Sequence, residues 1–513
     1  EITVEDGDNV RFSANQGDQV TISAGSTGDN TLNLNLRADA SNLLVTNDDF
    51  GTVNLDVENN DDTTDTRTID TTSSFGANTT VNVTGSDDLD VGDVTADVID
   101  ANGFTGALTA TLSANNGDIT GGFGDDVFSG IGNAAATVSG GEGEDVFTIA
   151  AEGSDVTING GADTDTVKLG TSVNFSDDAT TPAALDLNGV EILDFDDGNT
   201  LTVDGSEIDG SDLIVRSSGG TNDNFTVNLG SNPSVDLSNL TVNTGEVDVV
   251  VNGTGVSDTV TGSNDGDDIS GAGGDDVINA GAGADNVTGG TGADDISGGA
   301  GSDVTLAGGA GDDTIDGGAG DDVIDGGDGS DTLTGGTGND TFEFNATNGF
   351  TNDNGNTVTD FTAGGNDDKL DDSGANNFQE AVNNATDISN SMSVNVASVD
   401  GANEIVDNGL EIVVDGSGSG NTAASLSTDD VATFLGDVDG DGNAFQFDAG
   451  TNGGTSDGDI NYIAVSDGTD TGIFLANEST DGGTVDSAEL THVVTLQGVS
   501  DPTNLTADDF TVF

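Results

Sequence analysis

The chain has no cysteine, no tryptophan, three prolines, one histidine and six cationic side chains in 513 residues. Without cysteine there is neither a disulfide framework nor a thiolate metal site, so the redox compartment leaves no mark. A single histidine, His492, rules out an HExxH zinc site, which needs two. It lies in the alternating stretch LTHVVTL and reads as an ordinary strand residue. Arg11, Arg37, Arg67, Lys168, Arg216 and Lys369 are scattered singly, so nucleic acid and anionic membranes are excluded as direct partners. No apolar run approaches the ~18 residues that span a bilayer, and membrane insertion is not expected. The first residues, EITVEDGDNV, carry no initiator Met, basic region or apolar segment. No cleavable secretory signal is therefore visible, and the chain reads as a processed or partial product.

Acid and glycine fill the space: 96 acidic residues, a formal net charge of -90, and 80 glycines. Composition of that kind alone describes a disordered polyanion whose natural partners are multivalent cations. The apolar residues argue for a folded chain. They make up 32% and fall in short alternating groups such as TLNLNL (31–36) and TVNLDVE (52–58), the period-two pattern of half-buried strands. Helical signals are confined to stretches near 376–385 and 421–435. The expected class is all-β, with two or three domains at this length.

From Gly253 the sequence falls into units beginning at 253, 262, 271, 280, 289, 298, 308, 317, 326 and 335, the clearest being GGAGDDTID, GGAGDDVID, GGDGSDTLT and GGTGNDTFE. This is the nonapeptide GGxGxDxUx, with U a large apolar residue. Glycine lets the first six positions form a tight turn with carbonyls facing inward. The sixth-position aspartates, Asp258, Asp267, Asp276, Asp285, Asp294, Asp303, Asp313, Asp322, Asp331 and Asp340, add carboxylates to that turn. Hard oxygen donors in a flexible arrangement suit Ca²⁺. The last three positions should form a short strand with U inward: Val260, Ile269, Ile278, Val287, Ile296, Ile315, Ile324, Leu333 and Phe342. Two units make an 18-residue coil, so aspartates two units apart face the same gap, and about eight ions fit this scheme. The unit 298–307 has ten residues, which predicts a bulge near Val304 to Leu306. Thr254, Val256, Ser263, Asp265 and Ala272 break the pattern in the first units. A low-complexity linker is the bland alternative, but ten units with Asp and U in phase argue against it.

These units resemble the RTX (repeats-in-toxin) family of calcium-binding β-roll proteins exported by Gram-negative bacteria. A second, interrupted patch within 112–168 reads GGFGDDVFS, GGEGEDVFT and GGADTDTVK, with Asp126, Asp145 and Asp165 at the sixth position. Residues 1–252 repeat strand-like groups at roughly coil spacing, which suggests a parallel β-helix, with a β-sandwich for 1–110 as the alternative. Their texture resembles surface-layer (S-layer) proteins. Residues 253–343 form the expected RTX roll, and 344–513 a β-rich C-terminal cap whose tail LQGVSDPTNLTADDFTVF resembles a type I export signal. RTX blocks are often passive folding modules beside another activity, so the repeat identifies a cation more firmly than a function.

Other motifs carry less. DVDGDG (437–442) begins like an EF-hand loop, with Asp437, Asp439 and Asp441 at alternate positions, but its twelfth residue is Asp448 rather than Glu. GTSDG places Ser456 in a GxSxG match inside a Gly/Asp loop, where chance matches are frequent. RTX-bearing alginate epimerases also join a β-helix to a roll. Their polyanionic substrate needs cationic and aromatic contacts, whereas this chain has six scattered cations and one tyrosine, Tyr462. The expectation is a parallel β-helix/β-roll solenoid with several Ca²⁺ ions and no enzymatic activity. The resemblance implies secretion by the type I route from a Gram-negative bacterium, and the expected role is self-assembly through calcium into a surface layer or matrix. A cell-surface polysaccharide is a further partner under this resemblance. The alternative is the repeat and export portion of a larger RTX adhesin or enzyme.

Overall fold

Where Leu, Val and Ile alternate with Asn, Thr and Asp, one face of each strand is apolar and the other wet, and parallel stacking buries the apolar face against its equivalent one coil away. The computed structural model describes 79–94, 98–112, 118–132, 136–151, 155–175, 184–196, 198–218, 223–243 and 247–344. Before these it describes 2–4, 8–12, 20–24, 30–36, 43–47, 50–57, 67–68 and 74–75. After them it describes 356–362, 368–371, 395–398, 404–405, 410–414, 446–447, 460–466, 469–477, 490–500, 505 and 510–511. The chain divides into two units, Glu1–Asn252 and Gly253–Phe513. Almost all regular structure is β, and the sheets are largely parallel, forming a β-solenoid.

In the first unit every strand pairing among the described residues is parallel, including those before residue 110, so the sandwich alternative does not apply there. One aliphatic stack runs Leu32, Val53, Val81, Ile99, Ile119, Val138 and Ile158, each in register with the next and fully buried. On another face Phe128 stacks on Phe147 with ring centroids 5.6 Å apart, and the row continues through Val167, Leu193 and Val215. The outward face of the aliphatic ladder carries its own register. Asn54 Nδ2 donates to Asn33 Oδ1 and Asn82 Nδ2 to Asn54 Oδ1, both at 2.7 Å, an asparagine ladder that fixes the stacking from outside. The helix-prone stretches 376–385 and 421–435 lie outside the described residues, and among those described the α-helical turn is Gly205–Ile208.

In the second unit the nonapeptides build two parallel ladders. Thr259–Thr261, Val277–Ala282, Asp295–Ala300, Thr314–Ala319 and Thr332–Thr337 form one. Asp267–Gly273, Asn286–Thr291, Thr305–Ala310, Val323–Asp328 and Thr341–Glu343 form the other. The strands are longer than the sequence suggests. Thr314–Ala319 takes in Gly317, Gly318 and Ala319 of the following unit, which leaves Gly320 to Asp322 for the turn. Without side chains, the glycine segments of successive coils approach closely enough to pair, as Gly299 does with Gly318 and Gly318 with Gly336. Gly320 itself has φ +143°, and a Cβ there would collide with the Gly301 carbonyl one coil back.

All nine expected U residues are buried, and Leu306 joins them. The predicted bulge is present: Val304, the seventh residue of its ten-residue unit, is expelled to solvent at 60% exposure. Its amide and that of Thr305 both reach the Asp285 carbonyl, at 2.8 and 3.5 Å. Two further strands, Asn356–Val358 and Lys369–Asp371, extend the two ladders and bury Val358 and Leu370 in line with the U row. Beyond them an antiparallel trio, Ile460–Ser466, Thr471–Asn477 and Leu490–Leu496, carries His492 against the Phe474 ring at 4.9 Å. Burial holds the imidazole down, at about 4, as befits a neutral strand residue. Phe510–Thr511, in the tail, pairs parallel with Lys369–Asp371.

Candidate metal centre

The coil of the roll brings the sixth-position aspartates into two buried rows. Asp258, Asp276, Asp294, Asp313 and Asp331 form one, and Asp267, Asp285, Asp303, Asp322 and Asp340 the other. Within a row each backbone amide donates to Oδ1 of the aspartate one coil later: Asp258 to Asp276, Asp276 to Asp294 and Asp294 to Asp313 at 2.8 Å, Asp313 to Asp331 at 2.9 Å. The second row repeats this from Asp267 through Asp285, Asp303 and Asp322 to Asp340 at 2.8–3.1 Å. Beyond the nonapeptides Asn356 and Asp368 take the same place, accepting from the amides of Asp331 at 2.8 Å and Asp340 at 3.1 Å.

The rows differ along their length in what the second carboxylate oxygen meets. At the start it is satisfied by protein. Oδ2 of Asp258 accepts from the Thr254 amide at 2.6 Å, and the Thr254 hydroxyl lies 3.1 and 3.0 Å from its two oxygens. Asp267 is held likewise by the Ser263 amide at 2.6 Å and hydroxyl at 3.0 Å. These are the two units with a hydroxyl residue, Thr254 or Ser263, at position two. From Asp276 onward the position is alanine (Ala272) or glycine, with no hydroxyl to offer, and Oδ2 of Asp276, Asp285, Asp294, Asp303, Asp313 and Asp322 is buried with no hydrogen-bond partner. Such orphaned anionic oxygens are costly unless a cation meets them.

The backbone completes an oxygen-lined gap. A Cβ on Gly308 would strike both Asp313 Oδ2 and the Gly326 carbonyl, and one on Gly298 both Asp303 Oδ2 and the Gly317 carbonyl. At these turns the first glycine is therefore required, because its own unit's carboxylate and the next coil's carbonyl converge over it. Among the described residues no group of three or more carboxylate, imidazole or thiolate side chains converges. Each gap thus offers few side-chain ligands and many carbonyls, a hard-oxygen shell that fits Ca²⁺. The electrostatics agree. Burial, chiefly, pushes Asp285, Asp303, Asp313 and Asp340 up to about 6 and Asp267 to about 7, against the lowering effect of the backbone amides that donate to Asp267, Asp285, Asp303, Asp313 and Asp340. Asp276, Asp294 and Asp322 are raised for the same reason.

The fifth position has a role the sequence reading missed. Its exposed side chains reach the opposite way. Asp312 Oδ1 accepts from the Ser330 amide and Asp321 Oδ1 from the Asn339 amide, both at 2.9 Å, and Asp275 Oδ1 from Ala293 at 3.0 Å. Buried aspartates thus tie each turn to the preceding coil and exposed ones to the following coil. The frequent Asp-Asp pairs at positions five and six were the available signal.

In the first unit Asp126, Asp145 and Asp165 form a row of the same kind down one side. The Leu108 amide donates to Asp126 Oδ1 at 2.6 Å, the Asp126 amide to Asp145 at 2.8 Å and the Asp145 amide to Asp165 at 2.9 Å. Asp126 Oδ2 also accepts from Gly122 at 2.8 Å, whereas Oδ2 of Asp145 and Asp165 is buried without a partner. Burial first, then neighbouring carboxylates, push Asp145 up to about 8, while burial chiefly takes Asp126 and Asp165 to about 6. Asp437, Asp439 and Asp441, and Ser456, lie outside the described residues.

Compared with known families, the chain matches the RTX calcium-binding nonapeptide repeat (4 copies) at residues 252–287, 270–305 and 307–342. No curated protein matches it. The matched segments are the coils whose aspartate rows and glycine gaps are described above, and nonapeptides of this kind are calcium-binding motifs in proteins that are typically secreted. The chain thus carries an RTX calcium-binding β-roll, and calcium, several ions of it, is the cofactor its repeats take up.

Proposed function

We propose that the ions sit between same-side turns, each held by two aspartates one coil apart together with backbone carbonyls, from Asp276 to Asp340. The orphaned Oδ2 atoms support this reading. Replacing Asp313 and Asp331 together strips both carboxylates from the gap they share, so that ion should be weakened more than any in the Asp313 and Asp322 pair, and the opposite row should stay intact. Replacing Asp313 and Asp322 touches gaps in both rows and should weaken ions on each side. Calcium counting by equilibrium dialysis on Asn variants distinguishes them; identical stoichiometry and midpoint for the two double variants would refute the pairing.

At the level of the whole chain, the reading is a secreted, calcium-dependent structural protein that assembles with itself into a surface layer or extracellular matrix, exported by the type I route of a Gram-negative bacterium. The observation that carries it is the combination of a solenoid fold with a formal charge of -90 and six cations. About six ions in the roll, one for each same-side pair from Asp276 to Asp340, would offset only about 12 negative charges, so copies can pack closely only where further divalent ions bridge acidic surfaces. Sheets or filaments are expected in millimolar Ca²⁺. They should dissolve on chelation and not return with Na⁺ at matched ionic strength, because screening does not replace a bridging ligand. Electron microscopy with sedimentation across 0 to ~20 mM Ca²⁺, a range well past extracellular site affinities, tests it. A persistent monomer throughout would favour the repeat and export portion of a larger adhesin or enzyme.

A further inference from the structure

The coil after Asp165 carries no nonapeptide; residues 184–196 read ALDLNGVEILDFD. Its hydrogen bonds nevertheless reproduce those of a calcium turn. In the roll the residue after each sixth-position aspartate donates its amide to the aspartate carbonyl one coil back, as Thr332 does to Asp313 at 2.8 Å. Ile192 donates in the same way to the Asp165 carbonyl at 3.0 Å, which puts Glu191 in the sixth position. The Glu191 carboxylate acts accordingly: Oε2 accepts from the Asp165 amide at 2.9 Å, as Asp165 Oδ1 accepts from Asp145 at 2.9 Å. The backbone carbonyl is supplied too. A Cβ on Gly160 would strike both the Gly189 carbonyl and Asp165 Oδ2, the same two kinds of oxygen that converge over Gly308 and Gly298. Asp165 is fully buried, and its Oδ2 has no partner.

We infer that Asp165, Glu191 and the Gly189 carbonyl bind a divalent cation of the calcium class, a site two of whose donors, Gly189 and Glu191, lie outside every nonapeptide and which closes the one-sided row of the first unit. Glu191 supplies a carboxylate at the gap on a coil that has neither the GGxGx turn nor an aspartate at this place. All three donors are hard oxygens, and the remaining coordination falls to carbonyls and water, as Ca²⁺ accepts. This site does not depend on self-assembly or on the ions of the roll.

The test uses the full chain with two readouts, bound calcium by equilibrium dialysis and hydrogen exchange followed by mass spectrometry. Glu191→Gln keeps an oxygen to accept the Asp165 amide but removes the charge. It should lose one ion per chain and the calcium-induced slowing of exchange in 156–169 and 185–195, while peptides from 253–343 respond as in the parent. Glu191→Asp, which restores the residue type of the sixth position, should keep the ion. Unchanged ion count and unchanged protection in Glu191→Gln would overturn the inference, as would exchange in 185–195 that ignores calcium in the parent. If 253–343 fails to respond in the parent while 185–195 does, the roll reading falls and this site stands.

Discussion

Chelation should unfold the nonapeptide roll, 253–343, and leave most of the first unit folded. The roll's apolar core is a ladder one U side chain per strand, Ile315 on Ile296 and Leu333 on Ile315, with little else behind it. Against that modest burial stand at least six buried carboxylate oxygens without partners, in rows where each aspartate faces another one coil away. Without cations the folded roll holds desolvated like charges, a cost of several kcal/mol per ion by general experience. With them, ion binding becomes folding free energy. The first unit differs because its coils enclose Phe104, Phe128, Phe147, Phe175, Phe195 and Phe225 as well as aliphatic stacks. Extracellular calcium modules bind with Kd of roughly 10⁻⁴ to 10⁻³ M, so the roll should fold at millimolar calcium and remain open at cytosolic levels, a state suited to export. Circular dichroism should show part of the β signal appearing on titration, and hydrogen exchange should assign the gain to 253–343. A chelated chain that keeps full protection across those residues would defeat this account.

The roll was legible because one residue type at one interval specifies it. The apolar U sets the inward face, the sixth-position aspartate sets the row, and two units set the coil, so Asp313 and Asp331 were placed on one side from spacing alone. Strand length was not legible. Glycine reads as turn in isolation, and only neighbouring glycines one coil away reveal that Gly299, Gly318 and Gly336 form a paired seam. The first unit was read more coarsely, since its coils vary in length and its register is fixed by tertiary devices such as the Asn33–Asn54–Asn82 ladder. The start of each calcium row was visible as a broken pattern at Thr254 and Ser263, but not its meaning. The hydroxyl and amide that replace glycine there hold the carboxylate where later turns leave it bare. Glu191 had no signal at all in the sequence, because its role comes from a coil boundary rather than a motif.

Acid should act in opposite directions on the two states of the roll. Asp285, Asp303, Asp313 and Asp340 sit at about 6 and Asp267 at about 7 in the ion-free fold, raised first by burial and further by nearby carboxylates, against ordinary values near 4. An acid whose folded pKa exceeds its unfolded one contributes stability that is fully present below the unfolded value. That stability is lost as the pH rises through the folded value. The calcium-free roll is therefore expected to gain structure as pH falls from 8 through 7 and 6 towards 4, protons taking over part of the neutralisation. Calcium must displace those protons, so its affinity moves the other way. With two carboxylates per ion, each losing about tenfold per pH unit below its pKa, binding at pH 5 should be on the order of a hundredfold weaker than at pH 7. Melting curves followed by circular dichroism in chelator and in millimolar calcium, at half-unit steps from pH 5 to 8, should converge toward the acid end and separate toward the alkaline end. Calcium midpoints independent of pH, or a chelated roll less structured at pH 5 than at pH 8, would show that the buried aspartates do not titrate between folded and unfolded states as their burial requires.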